Sequence, residues 1–262
     1  MTVTPDTEAQ ANLRNLRVQL ACAWTGPAFL VLFFAGWVGL AHMVPPPPPT
    51  ATAQQITAFY LDGLTEKRIG LLLAMCVWGL LIPWGAAIAG RTRRAEHGYP
   101  ILTLTQIACA TSTAALGVLM LMIWAVIAFR PAELASDTAR MLQDLGWFIF
   151  LIDWAPVTIW LWALGLAIML DHRPDPDFPR WTAWLNLWVG LIFFPAGLII
   201  FFKTGPFAYD GALALYLPAG AFFLWFLIMS VILINALRSR IVAARAATAD
   251  VGPRSVTTAG TL

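Results

Sequence analysis

Six long apolar stretches constrain this chain more than any other feature of its sequence. Each is longer than the roughly 20 helical residues needed to cross about 30 Å of hydrocarbon. The stretches cover residues 18–43, 69–90, 101–129, 145–170, 181–203 and 212–236. They show no two-residue alternation of apolar and polar side chains, which argues against a transmembrane β-barrel. The sequence therefore predicts an all-α, polytopic transmembrane helix bundle of about six spans.

Composition supports this class and excludes others. Hydrophobic residues make up 60% of the 262 residues and charged residues only 11%, too few charges to cover a soluble globule of this size. The net charge of +2 gives no reason to expect nucleic acid as a partner. Cys22, Cys76 and Cys109 lie inside predicted spans without CxxC spacing, and we interpret them as packing residues.

The apolar stretches define one transmembrane domain, residues 18–236, between two polar ends. We predict an N-terminal segment over 1–17, with about its first twelve residues mobile, and a flexible tail over 237–262. A cleaved signal peptide is the alternative for the first apolar run. That run is about twice the length of a usual signal core, so we expect it to be the first span.

The distribution of basic residues predicts the orientation of the bundle. Eleven Lys and Arg residues fall on the side of the two termini, and five fall on the other side. Because basic residues concentrate on the cytoplasmic side, both termini are expected in the cytoplasm. An even number of spans agrees with this orientation.

Two connections on the opposite, outer side carry amphipathic patterns. Thr52 to Gln55 has the form of a capping box, followed by an apolar face that includes Ile56. Met141 and Leu145 mark a second apolar face over about residues 136–145. We predict short amphipathic helices on the outer face, which either cover the ends of the spans or form a lid over an outward cavity.

The strongest candidate for function is Asp153, in the sequence FLIDWAP within the fourth span. A span that begins near residue 145 places it on the order of 12 Å inside the hydrocarbon boundary, where a charge facing lipid costs about 2.5 kcal/mol or more. Pro156 has no N–H to donate to the carbonyl of Ile152, which is thereby left without its helical hydrogen bond. We therefore predict a polar kink beside the carboxylate. Arg130 and Lys203, at the outer ends of the third and fifth spans, are its expected partners.

Aromatic residues accompany Asp153 along the same helix. Trp147, Trp154 and Trp162 recur at intervals of seven and eight residues, which places them on one stripe. Such a stripe is typical of packing or of an interfacial belt, and it can also form the wall of an apolar ligand pocket. Tyr209 lies in the turn expected at the mouth of the bundle and completes the candidate ligand-binding residues.

Signs of catalysis, metals or cofactors are absent from the sequence patterns. His42, His97 and His172 all lie outside the middle of the spans, which argues against an intramembrane haem or a histidine-rich di-iron site. The acidic turn at 171–177 could be imagined as a metal loop, but its spacing matches no calcium or zinc motif. No phosphate loop, HExxH helix or GxSxG elbow is present. We therefore predict no catalytic residues, no metal and no cofactor.

Four segments carry a resemblance to known proteins. ITAFY (56–60), LQDLGWFIF (142–150), FPRWTAWLNLW (178–188) and FFKTGPFAYDG (201–211) together resemble an uncharacterised family of bacterial polytopic integral membrane proteins. The resemblance covers about residues 20–238. It implies an integral membrane fold, a bacterial source and therefore the inner membrane. It implies no activity and no functional residues.

Three functions fit these patterns. The first is binding or transport of a small, largely apolar molecule through an outward-facing aromatic cavity with Asp153, Arg130 and Lys203 as its polar spot. The second is a non-catalytic subunit of a larger membrane complex, in which a partner protein or a homo-oligomer covers part of the bundle. The third is a membrane enzyme acting on a lipid-like substrate, with Asp153 as an acid or base. The structural alternative for Asp153 is an ion pair that fixes helix packing.

Overall fold

A computed structural model describes residues 5–250, and between those residues the chain is helical with no β-strand. Nine α-helices are numbered here in chain order. They are α1 (Pro5–Phe33), α2 (Ala53–Leu61), α3 (Leu64–Trp78), α4 (Leu81–Thr92), α5 (Ile101–Phe129), α6 (Ser136–Ile152), α7 (Trp154–Met169), α8 (Trp181–Ile192) and α9 (Leu217–Asp250).

The helices assemble into six spans that are long and apolar enough to cross a membrane. They are Glu8–Leu40, Leu64–Ala95, Ile101–Phe129, Asp137–Met169, Trp181–Ile200 and Ala212–Thr248. The protein is therefore a multi-pass integral membrane protein, and the predicted all-α bundle of six spans is confirmed. Six crossings leave both ends of the described chain on one face, called the basic face here. The opposite face carries α2 and is called the α2 face.

Helical structure extends further at both ends than the sequence pattern predicted. α1 begins at Pro5, although the first twelve residues were expected to be mobile, and α9 continues to Asp250 through the expected tail. Helix propensity favours both extensions, because Ala recurs in each of them and Arg recurs in the second. The rest of the predicted ends, residues 1–4 and 251–262, lies outside the described residues.

Most spans contain an irregular segment. Within the described chain, the third span alone is one uninterrupted α-helix. The irregular segments are a π-helical turn at Phe34–Leu40, a break at 79–80, a break at Asp153, a 3-10 helix at Phe194–Ile200 and a π-helical turn at Ala212–Tyr216. Pro83, Pro156, Pro195 and Pro218 lie within a few residues of four of them. Since proline removes a helical N–H donor, it accounts for the positions of these four interruptions.

The spans pack around an aromatic interior. Successive spans are neighbours, and α1 also packs along α9 so that the first and last spans meet. Five tryptophans on four of the spans are completely buried, namely Trp84, Trp124, Trp147, Trp160 and Trp225. Gly36 and Gly70 let the first two spans approach each other, because a Cβ on either would collide with the backbone carbonyl of the other.

Of the two short helices predicted on the outer face, α2 is confirmed. Its capping box is complete, with the Thr52 N–H donating to Gln55 Oε1 at 2.7 Å and the Gln55 N–H donating to Thr52 Oγ1 at 3.3 Å. Tyr60 fixes α2 to α6 by donating its hydroxyl to Gln143 Oε1 at 2.5 Å. The second prediction is corrected. Residues 136–145 form the first turns of α6 and continue directly into the fourth span, because no proline interrupts the helix and the single Gly146 does not end it.

Candidate functional site

Asp153 lies at the point where the fourth span breaks into α6 and α7. Its N–H still donates to the Ile149 carbonyl at 3.1 Å, but its own carbonyl accepts from Val157 at a longer 3.4 Å. Pro156 has no N–H to donate to Ile152, so one helical hydrogen bond is missing at this turn. The kink predicted from FLIDWAP is therefore present, and it places a carboxylate at a helix interruption inside the membrane span.

A cavity of about 50 Å³ adjoins this break. Residues from the second to the sixth spans line it, and several lie beside the interruptions of their own helices. Six aromatic side chains form much of the wall, namely Trp78, Phe150, Trp154, Phe193, Phe222 and Phe223. One water molecule needs roughly 10–15 Å³ of such space. The cavity therefore has room for a few water molecules or for a small chemical group.

Two polar groups that line this cavity lack hydrogen bonds. Asp153 Oδ1 and Thr113 Oγ1 are buried and have no hydrogen-bond partner among the groups that the structure describes. The neighbouring Trp78 is satisfied, because its indole N–H donates to the Thr113 carbonyl at 3.2 Å. Buried polar groups in native proteins are usually paired, and an unpaired one costs about 1–3 kcal/mol. The carboxylate and the hydroxyl are thus available to a bound molecule.

The predicted ionic partners do not reach Asp153, and this expectation is corrected. Arg130 is 57% exposed and points to Glu133, with 3.7 Å between its Nε and the carboxylate. Lys203 is exposed on the α2 face. Both long side chains extend toward water at the ends of their spans, where a charge is better solvated than in the bundle. No ion pair in the described part of the chain includes Asp153.

Lys203 and Tyr209 belong to a separate groove of about 560 Å³ on the α2 face. Arg140 and Asp144 add charge to this groove. The Tyr209 hydroxyl donates to Asp144 Oδ1 at 3.1 Å. Burial raises the pKa of Tyr209, and the negative charge of Asp144 raises it further. The phenol therefore stays protonated near neutral pH and remains a hydrogen-bond donor.

Trp147 separates this groove from the cavity. It is fully buried and stacks on Tyr209, with ring centroids 5.9 Å apart and planes at 10°. It also meets Phe150 edge to face at 5.8 Å. Tyr209 lines the groove and Phe150 lines the cavity. These three rings are called the aromatic partition here, and they divide the single outward-facing cavity predicted from the sequence into two compartments.

The six candidate residues are therefore distributed over the molecule. Asp153 and Trp154 line the cavity, Lys203 and Tyr209 line the groove, and Trp147 lies between the two compartments; Arg130 belongs to neither.

Two residues that line the cavity, Thr113 and Trp78, were not among the candidates predicted from the sequence. A signal for Thr113 existed, because Thr113 and Gly117 lie one turn apart on the same face of α5. Both line the cavity. Gly117 also leaves space for the Trp78 indole, which a Cβ at that position would strike.

Ion pairs around Asp177 join several helices at the basic face. Arg91 Nη2 donates to Asp177 Oδ1 at 2.5 Å, and both side chains are at most 1% exposed. Arg240 Nε donates to the same oxygen at 3.0 Å, and Arg173 reaches Oδ2 at 3.4 Å. Asp177 thereby links α4, the connection before α8, and α9. This cluster was not predicted, because its members are far apart along the chain.

The other two acids of this connection are also bound by arginines. Asp171 accepts two hydrogen bonds from the Arg173 side chain, at 2.8 and 2.6 Å. Asp175 pairs with Arg240 Nη1 at 2.7 Å. The acidic turn considered as a metal loop is therefore a set of ion pairs. In the part of the chain that the structure describes, no group of three or more His, Cys, Asp or Glu residues could hold a metal ion.

These ion pairs predict a defined pH dependence. Burial alone would raise the pKa of Asp177, but the hydrogen bonds and charges of Arg91 and Arg240 outweigh it and lower that pKa. A lowered carboxyl pKa adds stability that is fully present above the ordinary value near 4 and is lost as the pH falls through the lowered value.

We expect the difference in Tm between the wild type and Asp177→Asn to be constant from about pH 7 to about pH 5 and to shrink below about pH 4. Thermal unfolding in detergent across that range measures it. A difference that grows on acidification would contradict the assignment.

Comparison of the chain with protein-family models, curated proteins and solved structures gives no significant match.

Proposed function

We propose that this integral membrane protein binds or transports a small, largely apolar molecule whose polar group is recognised by Asp153. The observation that carries the proposal is the buried, unpartnered Asp153 oxygen in an aromatic-lined cavity within the membrane spans. An ionisable residue at this depth is expensive to keep unless it serves a site. The unpaired hydroxyl of Thr113 on the same cavity supports the same conclusion.

The charge of the cavity restricts the polar group of the ligand. Neither a lysine nor an arginine is among the lining residues. A carboxylate without a cation is complemented by a group that donates hydrogen bonds or carries a positive charge, such as an amine or an alcohol. Aromatic rings favour both the apolar body of such a molecule and a cationic end.

The arrangement of the groove and the cavity suits the entry of a ligand from the α2 face. The aromatic partition stands between a molecule in the groove and Asp153. Four of the spans that line the cavity are interrupted within a few residues of it. Discontinuous helices around a site near the middle of the membrane are common in transporters, where the interruptions permit movement. If the basic face is cytoplasmic, as the positive-inside rule predicts, the groove opens outward.

Ligand-dependent thermal stability tests the proposal. The probes are short-chain primary amines, the alcohols of the same length and the corresponding alkanes, added to purified protein in mild detergent. A ligand at about 100 times its Kd stabilises the folded state by about 2.7 kcal/mol, which raises Tm by several degrees. We expect at least one amine or alcohol to do so for the wild type and not for Asp153→Asn.

Asp144→Asn is the matched control, since Asp144 is a carboxylate of the same span that lines the groove and not the cavity. Its ligand-induced shift should equal that of the wild type. The proposal fails if no amine or alcohol stabilises the wild type, or if Asp153→Asn retains the full shift.

A second candidate function is a non-catalytic subunit of a larger membrane complex. Trp181, Trp184 and Trp188 form an exposed stripe on α8, at 54%, 60% and 64% exposure. Tryptophan is enriched at the membrane boundary, but this stripe continues on the order of 10 Å along the helix. A helix of another protein would cover it. A second protein that copurifies in stoichiometric amount would favour this function.

A further inference from the structure

A second groove, of about 580 Å³, lies on the basic face. It forms where the second span ends, the third begins and the fourth ends. Its apolar side consists of Tyr99, Ile101 and Leu170, which are 74%, 58% and 53% exposed. At the ends of three spans, these side chains lie near the level where hydrocarbon gives way to lipid headgroups.

Both acidic residues of this groove are occupied by partners within the protein. The carboxylate of Glu96 accepts hydrogen bonds from the backbone N–H groups of Leu102 and Thr103, at 2.8 and 2.9 Å, and so caps the start of α5. The carboxylate of Asp171 is held by the side chain of Arg173. Neither acid is left to neutralise a further cation.

Arg94 is a cation of this groove without such a partner. It lines the groove and is exposed, and its side chain makes no hydrogen bond or ion pair with any group that the structure describes. His97 and His172, also exposed, line the same groove. His172 Nδ1 lies 2.9 Å from the Leu170 carbonyl, which favours the tautomer that donates from this nitrogen. The groove thus combines a free guanidinium, two imidazoles and an exposed apolar side.

We propose that this groove binds the phosphate of an anionic phospholipid, with Arg94 as the principal ligand. A guanidinium presents two parallel donors that match two phosphate oxygens. Basic pockets between spans at the membrane surface are suited to anionic headgroups. The apolar side formed by Ile101 and Leu170 continues into the membrane and would contact the acyl chains. Free phosphate offers the same oxygens but leaves this apolar surface uncovered, so the lipid is the better match.

Native mass spectrometry in mild detergent tests this site. Phosphatidylglycerol and phosphatidylcholine with identical acyl chains are titrated into the wild type and into Arg94→Gln. We expect the wild type to retain phosphatidylglycerol more tightly than phosphatidylcholine, and Arg94→Gln to bind phosphatidylglycerol roughly tenfold more weakly, as expected for the loss of one charge-assisted bidentate contact. Because Arg94 is exposed, the variant should fold normally, and an unchanged Tm confirms that it does.

Arg238→Gln is the matched control. Arg238 is an exposed arginine near the basic-face end of α9 that rests on the Trp24 ring at 5.4 Å and does not line the groove. Its removal should leave phosphatidylglycerol binding unchanged. Equal affinity for the two lipids, or equal weakening by Arg94→Gln and Arg238→Gln, overturns the proposal. It is also overturned if inorganic phosphate alone at millimolar concentration displaces the lipid, because the site would then recognise the free anion.

Discussion

Replacing Asp177 with asparagine is expected to lower the free energy of unfolding by about 3–5 kcal/mol, because it leaves buried positive charge without its carboxylate. Arg91 is fully buried, and Asp177 is the acid with which it forms its ion pair. Two further nitrogens of Arg91, Nε and Nη1, already lack hydrogen-bond partners in the described chain. The loss of stability should therefore be close to the upper end of the range for a single substitution. Chemical or thermal unfolding in detergent measures it.

Two other variants distinguish this effect from a general loss of charge on the basic face. Asp175→Asn removes a carboxylate that is 79% exposed and pairs with Arg240, and it should change stability by at most about 1 kcal/mol. The double variant Arg91→Leu/Asp177→Leu removes both charges of the buried pair and should be more stable than Asp177→Asn. Equal effects of Asp177→Asn and Asp175→Asn would contradict this account of the network.

Replacing Trp147 with alanine is expected to lower the free energy of unfolding by about 3–5 kcal/mol, the usual range for a buried aromatic residue. Trp147 has no exposed surface and packs against Trp37 and Trp124 as well as against Tyr209 and Phe150. Its loss removes the middle of the aromatic partition and leaves a void between the groove and the cavity. Unfolding experiments in detergent measure the change.

The control for Trp147 is Trp154→Ala on the same span. Trp154 is only partly buried, and its described aromatic contact is one phenylalanine ring, Phe194, at 4.7 Å. Its replacement should reduce stability clearly less than that of Trp147. If the two losses of stability are equal, the aromatic partition contributes no more to packing than an ordinary residue of the cavity wall, which contradicts this prediction.

The sequence predicted those features that depend on local physics. Hydrophobic length determines the spans, because the bilayer requires about 20 apolar residues for each crossing. Proline chemistry predicted the interruption beside Asp153, since Pro156 lacks a donor wherever its helix packs. The capping box at Thr52 and Gln55 is also local, and it formed as predicted. The proposal that Asp153 serves a site also rests on local physics, namely the cost of a charge at that depth.

Features that depend on contacts distant in sequence could not be predicted. Arg91 and Asp177 are separated by 86 residues, and neither carries a motif that identifies the other. Arg130 and Lys203 were assigned to Asp153 because topology places them on the same side of the membrane. The direction of these two side chains depends on whether the carboxylate of Asp153 or water solvates their charge better, and water is favoured at the ends of the spans. The division into groove and cavity depends on the contact of Trp147 with Tyr209, which only the packed bundle provides.

The most direct test of the central claim, that the cavity at Asp153 binds a small molecule, is native mass spectrometry of the purified protein with extraction and identification of what remains bound. Wild type and Asp153→Asn are compared in the same mild detergent. We predict that the wild type retains a defined small molecule with an amine or alcohol group and that the variant loses it while remaining folded. If both proteins retain only bulk lipid and differ merely in stability, Asp153 is a structural residue and the cavity is not a ligand site.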